Sequence, residues 1–290
     1  MSGAESDLIA GLERANAILE RESTVSRERA ELLRIQCYIN SALGCVLLSS
    51  GKTEAAEEAH QRDLEVALES EDIDAQLRAL RNLATLYTIT ERFDEAITLW
   101  RETVEIAVVM SSKRDLMVGY AGLGTALHQL AMANYSKNEF GEMLSHQENQ
   151  PRSIFIKQRT LATELGDSDS QMMAQQWIVA TYEWAQRPEE LEHRLEECDA
   201  FVRLCEQHNG VKYKPHAYRC LANAITVQIA RLAERGARFT EVIKVLKFKR
   251  ATILQKLREA GAAAAVDDGI KRVRPPHNTT RVDMLGQSVF

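Results

Sequence analysis

Glycine and proline are scarce in this 290-residue chain, at 14 and 5 residues, and aromatic side chains make up only 6% of it. So few backbone breakers argue against a turn-rich architecture and suit helices. No run reaches the roughly 18 apolar residues that span a bilayer, so no membrane span is expected. The opening MSGAESDLIAGLERAN lacks the basic-then-apolar layout of a secretory signal. The expected location is cytoplasmic, with the cytoskeleton and nucleus left open. Cys37, Cys45, Cys198, Cys205 and Cys220 are odd in number and follow no framework, which predicts free thiols. The sequon Asn278-Thr279-Thr280 then has no secretory route to use it.

What remains is an ordinary globular balance, 45% hydrophobic and 27% charged, in a chain long enough for one large domain or two smaller ones. Net charge is −6, unevenly spread. The stretch Gly236 to Phe290 carries eleven basic and five acidic groups, hence +6, against −12 for the rest.

The chain repeats itself. Leu43-Gly44, Leu83-Ala84 and Leu123-Gly124 recur every forty residues, each inside an apolar helical pattern such as Leu80, Leu83, Leu86 and Tyr87. A second set of positions keeps the same interval: Ala56 with Ala96, His60 with Trp100, Leu64 with Val104, and Ala67 with Ala107. Between the two sets lie SSGKTEA and TERFDEA, of a length that joins antiparallel helices. The small residues Gly44, Ala84 and Gly124 would let one helix approach its neighbour closely.

On these residues the sequence resembles the tetratricopeptide repeat (TPR) family, and within it the forty-residue repeats of the Pins/LGN and Tonsoku-like proteins. Arg78 to Trp100 is the best-matching stretch and Glu54 to Asp72 is nearly as good. The resemblance implies an all-α, right-handed solenoid of stacked TPR-like helical hairpins. The expected layout is a capping helix in residues 1–24, a repeat domain over 25–260, and a flexible basic tail over 261–290. An insertion is expected at about 134–151, because Thr160 to Asp167 resembles the end of a third hairpin arriving fifteen residues late. A fourth, divergent hairpin would use Ile178 and then Leu195, Cys198 and Val202. A fifth would use Tyr213 to Glu234 and Thr240 to Ala260, with Gly236 between them.

Chemistry-bearing motifs do not assemble. Gly51-Lys52-Thr53 resembles the end of a phosphate loop, yet Val46 stands where that loop needs glycine and a helix precedes it. Gly122-Leu123-Gly124 lacks the third glycine of a dinucleotide fingerprint and reads as a helix contact. His193, Cys198, Cys205 and His208 contain no metal-binding pair spacing, so the two cysteines read as core. His60, His128 and His146 have no acid or nucleophile at a telling interval. No catalytic residue, metal or cofactor is expected. Trp100, Trp177 and Trp184 read as core. Lys244 to Arg258 is a basic amphipathic stretch that fits a solvated outer face or a contact with an acidic protein, a membrane surface or RNA. The final Ser288-Val289-Phe290 matches, weakly, the terminal pattern that PDZ domains capture.

The expected function is therefore a non-enzymatic protein-protein scaffold or adaptor that holds a peptide segment of a partner along the first helices of successive hairpins. A permanent structural subunit of a large assembly, such as a ciliary or ribosomal complex, is the competing reading. Neither a small-molecule substrate nor a nucleic acid is the expected partner. The repeat register puts Arg78, Arg81, Thr85 and Thr88 on one inward stripe. Tyr38, Ser41, Cys45 and Leu48 fall on the preceding stripe, and Val118, Thr125 and His128 on the next. The Pins/LGN resemblance implies groove-lining roles for Arg78 and Asn82, although Tyr38 and Val118 replace the arginine in the neighbouring repeats. The two arginines predict an acidic segment in the partner.

Overall fold

The computed structural model describes residues 3–20, 26–136, 150–182 and 188–260. Among them are eleven α-helices, a short 3-10 turn at Ala237–Phe239, and no strand. The helices are α1 (Gly3–Leu19), α2 (Ser26–Ser49), α3 (Thr53–Glu69), α4 (Ile73–Ile89), α5 (Phe93–Val109), α6 (Lys113–Ser136), α7 (Pro151–Glu164), α8 (Ser168–Ala180), α9 (Pro188–Gln207), α10 (Lys214–Glu234) and α11 (Thr240–Glu259). They form an all-α solenoid of stacked hairpins, divided into two compact units on either side of residue 145.

The forty-residue period has a finer cause. Gly51, Glu71, Glu91 and Ser111, twenty residues apart, all adopt a left-handed backbone, with φ of 75°, 54°, 65° and 54°. At each, the following N–H reaches back across the end of the helix: Lys52 to the Leu47 carbonyl at 2.9 Å, Asp72 to Ala67 at 3.1 Å, Arg92 to Tyr87 at 2.9 Å, and Ser112 to Ala107 at 3.0 Å. This closes each helix with the same left-handed turn, which satisfies carbonyls that the last turn leaves open. Three consecutive helices of 17 residues result. Asp72 then starts α4 by accepting the Ala75 N–H at 3.0 Å.

In the first unit α1 packs on α2, α3 on α2 and α4, and α5 on α4 and α6. Leu77, Leu80, Leu83 and Leu86 of α4 are fully buried or nearly so. Gly44, Ala84 and Gly124 are buried as the repeat predicts. A Cβ on Gly44 would lie 2.3 Å from the His60 ring, and one on Gly122 would lie 2.2 Å from Trp100. His60 and Trp100 hold equivalent places, so the same ring position presses on a glycine twice. Outside this core Arg92 clamps the α4–α5 turn to α3: its guanidinium covers the Tyr87 ring at 4.0 Å and donates to both Glu57 oxygens at 2.8 Å.

The stretch expected to hold an insertion, about 134–151, overlaps the end of one helix and the start of the next. Helix α6 continues to Ser136, and Pro151 stands at the first position of α7, where its missing N–H costs nothing. Residues 137–149 lie outside the described residues, as do Trp184 and the segment 261–290 with its sequon and Ser288-Val289-Phe290. In the second unit α7 pairs with α8, α9 packs on α8 and α10, and α10 on α11. Trp177 stacks on buried Phe155 with ring centroids 5.5 Å apart. Cys198, Phe201, Cys205, Leu221, Ile225, Ile253 and Leu257 form the other core.

Among the described residues one helix segment, Glu28–Ser49, is long and apolar enough to cross a membrane by length and composition. Here it packs against α1, α3 and α4 and buries Gln36, Asn40 and Ser41.

Candidate functional site

In the first unit α4 touches both α2 and α6, whereas α3 and α5 have no mutual contact of that extent. First helices that approach one another while second helices splay make α2, α4 and α6 the inner wall of this unit. The stripe anticipated from the repeat lies on these three helices and divides into a reachable part and a buried part.

Tyr38 is 60% exposed, and the Arg78 guanidinium lies 4.7 Å over its ring. Arg78 also donates through Nη2 to Asp63 Oδ1 at 3.1 Å, and Arg81 donates through Nη1 to Asp115 Oδ1 at 2.9 Å. Asp115 is held in turn by the Ser112 hydroxyl at 2.5 Å. Thr85, Cys45, Leu48 and Val118 are half-buried. Ser41, Asn82, Thr88, Thr125 and His128 are buried. Asn82 Nδ2 donates to Ser41 Oγ at 3.0 Å, tying α4 to α2, and the hydroxyls of Thr88 and Thr125 bond back to the Ala84 and Ala121 carbonyls. Solvent therefore reaches the stripe at Tyr38, Arg78 and Arg81 and at the half-buried Cys45, Leu48, Thr85 and Val118, while Ser41, Asn82, Thr88, Thr125 and His128 sit in the packing between helices.

Asp63 is the residue that repeat reasoning passed over. It is completely buried on the stripe of α3 that also carries Ala56, His60 and Ala67, all apolar or uncharged. A lone acid on that face was the available signal, since a buried carboxylate calls for a cationic partner. Burial pushes the Asp63 carboxyl up to about 6, against the opposing pull of Arg78. Burial likewise lowers His60 and His128 to about 4, so both rings are neutral near pH 7. It raises the Cys37 thiol to about 11 and Cys205 to about 12, which makes them inert. Reversing the charge of Arg78 would set two carboxylates together at the buried Asp63, so this arginine also holds α4 to α3, a role the register alone does not show.

The other sequence candidates separate. His193 and His208 are exposed while Cys198 and Cys205 are in the core. Trp100 is buried against Gly122. The basic helix α11 is partly docked: Lys249 reaches Asp199 at 2.6 Å and Lys256 reaches Glu206 at 2.8 Å, both on α9.

Residues 76–109 match a family model described as tetratricopeptide repeat, which supports that family for the repeats. The chain is 27% identical over 168 residues to the outer dynein arm-docking complex subunit 4 of Xenopus laevis, a match covering 58% of this chain and 31% of that protein. Against the human protein of the same name it is 31% identical over 102 residues, covering 35% and 15%. The chain thus spans at most about a third of these relatives. Among solved structures, BtubC (BKLC) from P. vanneervenii superposes with a TM-score of 0.62 at 12% identity, covering 91% of this chain and 92% of that one. At that identity the likeness is one of fold alone.

Proposed function

We propose that the chain is a non-enzymatic interaction scaffold that serves as a subunit of a docking complex for outer dynein arms, or of a complex of that kind, and so acts on the ciliary cytoskeleton. The relatives' names support the setting, and the repeats support the mode. Within the TPR family we place the repeats with the Pins/LGN and Tonsoku-like kind, on the register of Leu43-Gly44, Leu83-Ala84 and Leu123-Gly124.

The contact surface on this reading is the inner wall of α2, α4 and α6, and one observation carries it. Exposed Tyr38 lies under the Arg78 guanidinium, and Asp63 and Asp115 hold Arg78 and Arg81 in fixed orientations on the same wall. Each guanidinium has five N–H donors, and one bond to a carboxylate leaves others to offer. Holding them in place beforehand lowers the ordering cost of binding. Because each arginine is already ion-paired, the wall exerts little long-range pull on an acidic tract. It suits a partner segment that brings a carboxylate or a backbone carbonyl to Arg78 and Arg81 at short range.

A permanently assembled subunit is the second reading. Leu68 and Val108, forty residues apart at the ends of α3 and α5, are 57% and 56% exposed, and Val109 beside them is 84% exposed. A repeated apolar ridge of this kind suits a face that stays covered.

The test is recovery of partners from ciliated cells by tagged wild-type chain and by the double variant Tyr38→Ala/Thr85→Glu. The first change removes the exposed ring, and the second supplies an internal carboxylate that competes for the arginines. Recovery should fall about tenfold or more while helicity is unchanged. Undiminished recovery of the same partners would remove the inner wall as the contact surface.

A further inference from the structure

The crevice between the two helices of a hairpin is normally roofed by the first helix of the next. Helix α4 packs on both α2 and α3, and α6 on both α4 and α5. At the second of these roofs the fit is close because Gly119 and Gly122 meet Val104 and Trp100 without a side chain between them. The crevice between α10 and α11 has no roof among the described residues. Thr226 and Ile229 of α10 and Lys247, Arg250, Ala251 and Leu254 of α11 line it, enclosing about 320 Å³.

From this we infer a second docking site: the α10–α11 crevice receives one amphipathic helix of a partner protein, its apolar stripe flanked by Asp and Glu. The floor is apolar, formed by Ile229, Ala251 and Leu254, and Ala251 is small enough for a helix to come close. The rim is basic. Helix α11 carries Lys244, Lys247, Lys249, Arg250, Lys256 and Arg258 against Glu241 and Glu259. Lys249 and Lys256 are turned to α9, Lys244 is paired with Glu241, and Arg250 Nε is anchored on the Thr226 hydroxyl at 2.7 Å. Lys247 is thus the charge that the crevice presents. A second copy of this chain is the wrong occupant, because a two-fold pairing through the crevice would set basic α11 against basic α11. An acidic helix is attracted at the same place.

Two synthetic helical peptides with one common Leu/Ala stripe, flanked in one by Glu and in the other by Lys, test this by fluorescence anisotropy with the full chain at low and high salt. The Glu-flanked peptide should bind about tenfold or more tighter than its Lys-flanked twin, and its advantage should shrink with salt. Lys247→Glu should erase the preference. Ala251→Trp, a change at an exposed position, should weaken the Glu-flanked peptide about tenfold, whereas Tyr38→Ala on the inner wall should leave its binding as in the wild type. Equal binding of the two peptides overturns the inference. Binding indifferent to both crevice variants also overturns it, as does a dimer of the chain that Ala251→Trp dissolves.

Discussion

Two helical glycines predict opposite responses to the same substitution. Placing alanine in a helix interior in place of glycine is worth about 1 kcal/mol in backbone entropy and helix propensity. At Gly11 of α1 the new methyl would meet only the tip of a flexible side chain, Ile39 Cδ1 at 3.3 Å, which can move aside. Gly11→Ala should therefore raise stability by about 0.5–1 kcal/mol. At Gly122 the methyl would lie 2.2 Å from Trp100 Cε2 and 2.3 Å from Cζ2. An ordinary contact would need the ring to retreat by more than 1 Å, judged against carbon-carbon contacts of about 3.5 Å. Trp100 is only 5% exposed and has little room to retreat. Overpacking of this kind costs about 1–3 kcal/mol, so after the propensity gain Gly122→Ala should lose up to about 2 kcal/mol. Urea unfolding of the two variants and the wild type measures both. Adding Trp100→Leu should release the clash, so the double variant should be more stable than the summed effects of its parts by about 1 kcal/mol or more. Gly122→Ala more stable than the wild type would refute the packing argument, as would a strictly additive cycle.

Acid should destabilise the first unit through His60 before it reaches most carboxylates. That ring and the His128 ring each titrate at about 4 folded against 6.5 unfolded, so below pH 6.5 the unfolded chain binds the protons first, and each lowers stability by up to about 1.4 kcal/mol per pH unit down to pH 4. Asp63 acts in the opposite sense. With a folded value of about 6 against 3.8, it gives stability as it protonates below pH 6 and loses that stability as pH rises through 6. Asp63→Asn should therefore steepen the acid loss, a result that urea midpoints across pH 4–7 would show and a flat profile would deny. At the turns, Glu71→Gly and Ser111→Gly should each stabilise by about 0.5–1 kcal/mol, because a side chain is strained at φ of 54°. Lower melting temperatures for these variants would mean that the side chains hold something the turn needs.

The stacked hairpins were legible because packing imposes small residues at a fixed interval, and Leu43-Gly44, Leu83-Ala84 and Leu123-Gly124 display it. The helices of the last hairpin, α10 and α11, fall within a residue or so of their expected ends because Gly236 separates two apolar periodicities. The twenty-residue cadence was not legible. Gly51 carries the residue type its left-handed turn favours, but Glu71, Glu91 and Ser111 adopt the same turn with ordinary side chains, so the motif leaves no trace in composition. The stripe on the inner wall followed from the register, yet its electrostatics did not. Arg78 finds its partner fifteen residues earlier on α3, and Arg81 finds its partner thirty-four residues later on α6, pairings that exist only once the helices are stacked.

The recurrence of one turn after each helix gives the chain a natural unit of exchange. Removing residues 73–112 would take out one hairpin whole and splice Asp72, the residue that caps α4, onto Lys113 at the head of α6. Asp72 would then stand where Ser112 now offers its hydroxyl to the Asp115 N–H, with the left-handed Glu71 before it in place of Ser111. Gly122 would face His60, the ring that occupies Trp100's place one period earlier. Such a splice leaves every remaining helix in phase, whereas a cut of any length that is not a multiple of forty puts the following helices out of step with their contacts. Gain or loss of repeats in a chain built this way follows the spacing of its turns, and a gene that grows or shrinks by such steps keeps a foldable product at each one.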